Sequence, residues 1–140
     1  MREITVLLTA CAAQFAPGIV NCLKENGERN VRLIGVDMHE DKTLCALYDA
    51  LYPVPAAADP RYAETLLSIC KTERVDVLMP FMSAELLPLI DRQADFEAAG
   101  TRLSVSDRRS VEICANKLRF YEFMQASGLK VPKFRAVRTA

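Results

Sequence analysis

Ile4 to Leu8 is an unbroken run of β-branched and leucine-type residues, ITVLL. Such a run predicts a strand covered on both faces. The same signal returns at Val31–Asp37 (VRLIGVD), Val75–Pro80 (VDVLMP) and Thr101–Val105 (TRLSV). LYPVP, Leu51–Pro55, predicts a shorter edge strand cut off by its prolines. Between the runs the spacing becomes helical. Pro17 suits a first turn, and the segment from Gly18 runs to a stop at Gly27. DKTLCALYDA, Asp41–Ala50, predicts a short helix. Asp59-Pro60 predicts an N-cap carboxylate followed by proline at the first helical position. Tyr62, Leu66, Ile69 and Cys70 then share one face of a helix through Glu73. Ser83 is expected to cap a helix to about Ala99, with Pro88 making its first turn irregular. Ser106 opens a further helix to Cys114, and NKLRFYEFMQAS forms the last, stopped by Gly128.

Strand and helix therefore alternate about five times. That order implies parallel strands joined by right-handed crossovers. The expected fold is α/β: a Rossmann-like open parallel sheet in the order 3-2-1-4-5, with helices on both faces. Ligands of such sheets bind beyond the carboxyl ends of the strands. Here those ends are Thr9–Gly18, Asp37–His39, Pro80–Glu85 and Ser106.

Composition narrows the partners. The chain has 140 residues and balances 18 basic against 18 acidic side chains. Phosphate backbones call for net positive charge, so nucleic acid is not the expected partner. The apolar runs are too short to span a bilayer. Five cysteines at 11, 22, 45, 70 and 114 form no metal-type spacing; they read as reduced thiols of a cytoplasmic protein.

A dinucleotide site wants glycines after the first strand, so that backbone can approach the pyrophosphate. The turn here is TACAAQFAPG, with alanines where glycines belong and Gly18 alone at its end. Asp37 stands where such enzymes bind ribose, but Asp at a strand end is also ordinary turn chemistry. Asp37 and Glu85 fall on one rim and could hold an ammonium group; equally, they are a loop acid and a first-turn helix acid. His39 lies in a polar loop, Asp76 falls on the opposite edge, and Cys11 reads as a small packing residue. Lys117 opens the final helix, where its ammonium could meet an anion.

GVDM, LYPVP…DPRY, ICKTERVDVLMP, SAEL and NKLRFYEFMQASGLKVP, in this order and spacing, resemble the N-terminal domain of ATP-grasp ligases, the carbamoyl-phosphate-synthase large-subunit-like group above all. The resemblance covers nearly the whole chain. It implies a pre-ATP-grasp domain over 1–128, with 129–140 leading into an ATP-grasp domain beyond the chain. The activity implied is ATP- and Mg²⁺-dependent joining of a carboxylate, or bicarbonate, to an amine or ammonia through an acylphosphate. Lys117 corresponds to the lysine that contacts ATP phosphates, and Thr9, Ala10 and Glu85 to segments facing substrate. Metal ligands are expected beyond Ala140. The chain is then a fragment, or a naturally short protein, inactive by itself and able to form a homodimer through its uncovered apolar side. Two departures stand out: Asn116 replaces the Asp often found before that lysine, and the turn after the first strand lacks the usual glycine or arginine. A non-catalytic binding or assembly module of the same fold, and a nucleotide-cofactor Rossmann domain, are the alternatives.

Overall fold

The computed structural model describes residues 2–39 and 46–137. They divide into two compact units, Met1–Val105 and Ser106–Ala140. Among the described residues the elements are β1 (Ile4–Leu8), α1 (Ala16–Lys24), β2 (Val31–Asp37), β3 (Ala50–Pro53), α2 (Tyr62–Glu73), β4 (Val77–Met79), α3 (Ser83–Ile90), α4 (Gln93–Ala98), β5 (Arg102–Leu103), α5 (Arg108–Cys114) and α6 (Lys117–Ala126).

The first unit is one sheet in the order β3-β2-β1-β4-β5. Every pairing is parallel. Alternation along the strands divides the core between the two faces. Leu7, Ile34, Val36 and Leu78 pack with Tyr62, Leu66, Leu89 and Phe96 of the α2, α3 and α4 side. Val6, Leu8 and Leu33 pack with Val20 of α1, Cys11 and Tyr48. This explains why Val6–Leu8 and Leu33–Val36 run without a polar residue: both faces of the sheet are covered there. Gly35 sits where a side chain cannot. A Cβ there would lie 2.7 Å from Leu51 Cδ2 and 3.0 Å from the Tyr48 ring.

Several boundaries differ from the sequence expectation, each for a local reason. Asp59 does not cap α2, which begins at Tyr62 with Arg61 at its N-cap. The Asp59 carboxylate instead accepts the Arg61 backbone N–H at 2.8 Å and its guanidinium at 2.7 Å. The arginine, chiefly through that side-chain bond, holds Asp59 down to about 2. The predicted helix from Ser83 to Ala99 is two helices, α3 and α4. Pro88 lies inside α3, beyond its first turn. It cannot donate to the carbonyl four residues back, and α3 ends soon afterwards. Ser83 is the first helical residue and not the cap, and Asp107 rather than Ser106 caps α5 by accepting from the Ser110 N–H. Residues 41–45 of the helix predicted over Asp41–Ala50 lie outside the described residues, and Ala50 itself belongs to β3.

In the second unit, Asn116 caps α6 by accepting from the Leu118 and Arg119 N–H groups at 3.0 and 3.1 Å. Gly128 takes φ +74° just past its end, the left-handed stop that glycine permits. Tyr121 stacks on Phe134 with ring centroids 5.0 Å apart. No described helix is long and apolar enough to cross a membrane.

Candidate functional site

The turns leaving β1, β2 and β4 converge on a crevice of about 420 Å³ at the carboxyl end of the sheet. Its walls are largely Ala12, Ala13, Val54, Pro55, Ala56 and Ala57, with Met38 and Met82 also lining it. Three backbone bonds set the turns: Thr9 N–H donates to Met79 O, Cys11 N–H to Val36 O, and Val54 N–H to Asp37 O. The turn after β1 is thereby tied to both neighbouring strands.

Glu85 lines the crevice yet is only 6% exposed. Its carboxylate gathers four donors. The Thr9 hydroxyl donates at 2.5 Å and the Tyr62 hydroxyl at 2.8 Å. The Phe81 and Met82 backbone N–H groups donate at 3.2 and 3.0 Å. The Met82 bond gives α3 its N-terminal closure from three residues inside, in the manner of a capping box. The Thr9 oxygen also accepts the Phe81 N–H at 3.0 Å. Burial pushes the Tyr62 hydroxyl far above its ordinary range, and the charges of Glu85 and Asp37 and the bond to Glu85 add to the shift. One carboxylate thus joins the end of β1, the start of α2 and the turn before α3.

Asp37, at the end of β2, is arranged differently. Its two oxygens accept one backbone N–H each, from Ala12 at 3.1 Å and His39 at 3.0 Å, and it stays partly exposed. Ala10 lines the crevice at φ +47°, a left-handed conformation that strains a residue with a Cβ. Thr9 is 1% exposed and acts through its bond to Glu85. The structure therefore brings Ala10, Glu85 and Asp37 to one crevice, with Thr9 behind Glu85. Tyr62 joins them, although its apolar helix face made it read as core alone; the Asp-Pro turn before it was the available signal. Asp76 lies at the amino end, accepting the Thr5 N–H at 2.9 Å and pairing with Arg2.

Lys117 belongs to the second unit. It is exposed at the first position of α6. A cation there opposes the helix macrodipole, so helix stability does not account for it. Among the described residues, no group of three or more His, Cys, Asp or Glu is placed to hold a metal ion.

A parallel sheet in this order, with its crevice over the carboxyl ends, is a Rossmann-like α/β domain. The model of the PylC-like N-terminal domain family matches residues 6–104, and the chain belongs to that family. Among solved structures, it resembles L-amino acid ligase from Bacillus licheniformis at 18% identity and a TM-score of 0.65, over 94% of this chain and 32% of that one. A single-chain, multi-domain long-chain acyl-CoA carboxylase matches at 20% identity and 0.64, over 99% and 14%. The biotin carboxylase domain of a thermophilic 2-oxoglutarate carboxylase, bound to bicarbonate, matches at 15% and 0.59, over 89% and 28%. At these identities the likeness is one of fold, and the chain spans a third or less of each structure's length. No curated protein sequence matches the chain.

Proposed function

We propose that the chain supplies the substrate-side wall of an ATP-dependent ligase that joins a carboxylate, or bicarbonate, to an amine or ammonia in the carbamoyl-phosphate-synthase manner, and that it is inactive alone. The observation that carries this reading is that the crevice lies at the edge where open α/β sheets take ligands, inside the segment that the family model matches. The solved structures of like fold point the same way: one is a ligase and another a carboxylase domain bound to bicarbonate.

ATP, when bound, supplies the phosphoryl group that activates the carboxylate; its Mg²⁺ ligands belong in this reading to an ATP-grasp lobe outside the residues described. This chain's own residues orient and enclose. Glu85 and Thr9 fix the turns after β4 and β1, Ala10 and Asp37 line the substrate side, and Lys117 offsets phosphate charge as a compact cation. Leu118, Phe123 and Leu129 are exposed on or just after α6, and the lobe covers them.

The test is the kinetics of Lys117→Ala in the ligase that contains this chain. The reading expects the ATP KM to rise, or kcat to fall, by about tenfold, which is roughly 1.4 kcal/mol of transition-state stabilisation. Unchanged ATP kinetics return Lys117 to the solvated surface. Tight calorimetric binding of NAD(P) replaces the reading with a dinucleotide one.

A further inference from the structure

We infer that the crevice binds a primary ammonium carried on a compact apolar body, with Asp37 as its ionic anchor. Calling this ligand the amine substrate rests on the ligase reading above; the binding itself does not.

The charges around the crevice set the sign of the ligand. Its described lining holds two carboxylates and neither Lys nor Arg. Among the described lining residues no Lys or Arg offers a phosphate or carboxylate ligand an ionic partner, and the alanine Cβ atoms of the turn after β1 bar the close backbone approach that a pyrophosphate needs. Of the two carboxylates, Glu85 is buried and already accepts from Thr9, Tyr62, Phe81 and Met82. Asp37 has spent one acceptor direction on each oxygen, to Ala12 and His39. A carboxylate has about four lone-pair sites, and the described donors leave two of them to an ammonium. The same two backbone bonds fix the orientation of Asp37 before any ligand arrives, which lowers the entropic cost of binding. On the same lining, burial first and then Glu85 push the Tyr62 hydroxyl up, and Asp37 adds the smallest share.

The walls set the body of the ligand. They are short apolar side chains around a volume in the range of small-molecule sites. Met38 and Met82, which also line the crevice, are 57% and 49% exposed. Flexible thioethers at such positions adapt to bodies of different outline. The site therefore reads the charged head strictly and the apolar remainder loosely.

The experiment is an amide NMR titration of the 140-residue chain with n-pentylammonium chloride, sodium hexanoate and neutral 1-pentanol as three arms. The inference expects pentylammonium to shift the amides of Ala12, Asp37, Ala57 and Ala84 saturably, with hexanoate and pentanol at least about tenfold weaker. Asp37→Asn should weaken pentylammonium by a similar factor. Should that variant lose its amide dispersion, Ala84→Leu, an exposed helical position facing the crevice, should block the ligand while leaving Asp37 and its turn intact. Hexanoate or pentanol binding as well as pentylammonium, no saturable shift, or shifts confined to other surfaces would each overturn the inference. A ligase that turns over while its N-terminal chain ignores pentylammonium defeats this inference alone. Asp37-dependent binding by a chain whose longer form shows no ATP-dependent turnover defeats the ligase reading alone.

Discussion

The sheet has a recess at each end, and they are built on opposite plans. At the amino end a hollow of about 290 Å³ is lined by Glu3, Lys24, Asn30, Val31, Arg32 and Asp49. Its two cations are paired: Lys24 Nζ lies 2.5 Å from Asp49, and Arg32 reaches Glu73, beyond the lining, at 2.6 Å. Asp49 also accepts the Leu33 N–H at 2.7 Å. At the carboxyl end the walls are apolar, one acid is buried under four donors, and the other faces the crevice without a described cation on its lining. The amino end has already neutralised itself. The carboxyl end holds a negative charge in reserve. Formal charge at strand ends is therefore a poor guide to function; what matters is whether the protein supplies the counter-charge.

The largest way to break this contrast is Glu85→Ala. It strips four donors of their acceptor in a buried site, where unsatisfied polar groups are expensive. Urea unfolding should show a loss of about 3 kcal/mol or more. Asp76→Ala at the other end, where the ion-pair partner Arg2 is largely exposed, should cost about 1 kcal/mol or less. Next in size is Gly35→Ala. Its Cβ presses on Leu51 and Tyr48, and overpacking of this kind costs about 1–3 kcal/mol; a wild-type urea midpoint would contradict the packing described. Ala10→Gly acts in the opposite direction. Relief of the strained φ should raise stability by about 0.5–1 kcal/mol, read from the thermal midpoint.

The smallest effect is in acid. Tyr52's hydrogen bond, then Arg32, hold Glu73 below its ordinary 4.5 despite partial burial. Partial burial pushes Asp49 upward, but Lys24 and the Leu33 N–H outweigh it and leave it below 3.8. A carboxylate depressed in the folded state stabilises fully above its unfolded pKa, and that contribution fades as pH falls through the folded value. Below about pH 4.5, therefore, Glu73→Gln should lose stability less steeply than wild type as pH falls, and so unfold over a broader pH range. Superimposed acid-unfolding curves would show that the amino-end pairs contribute nothing.

The fold was legible because its strands are buried on both faces. Continuous apolar runs such as Leu33–Val36 have no amphipathic alternative, and their alternation with helices fixes parallel order. Boundaries were less legible where two local chemistries compete. Asp59 was a plausible cap, but Arg61 follows closely enough to claim its carboxylate. Pro88 announced an interruption without showing on which side of it the helix would survive. For the site, strand ends located the crevice and Ala10, Asp37 and Glu85 on its lining. The burial of Glu85 was not readable, since its donors Thr9 and Tyr62 lie far away in sequence and only the parallel order brings them together.

The most direct test of the contrast between the two ends enlarges one side chain at each. In a longer form of this chain, assayed for the proposed ligase activity, ADP release can be followed with a panel of L-amino acids and bicarbonate as co-substrates, in Ala84→Leu at the carboxyl-end crevice and Asn30→Leu at the amino-end hollow. The account predicts that Ala84→Leu raises the co-substrate KM by about tenfold with the ATP KM unchanged, and that Asn30→Leu alters neither. Co-substrate kinetics untouched by Ala84→Leu, or disturbed equally by Asn30→Leu, would contradict it.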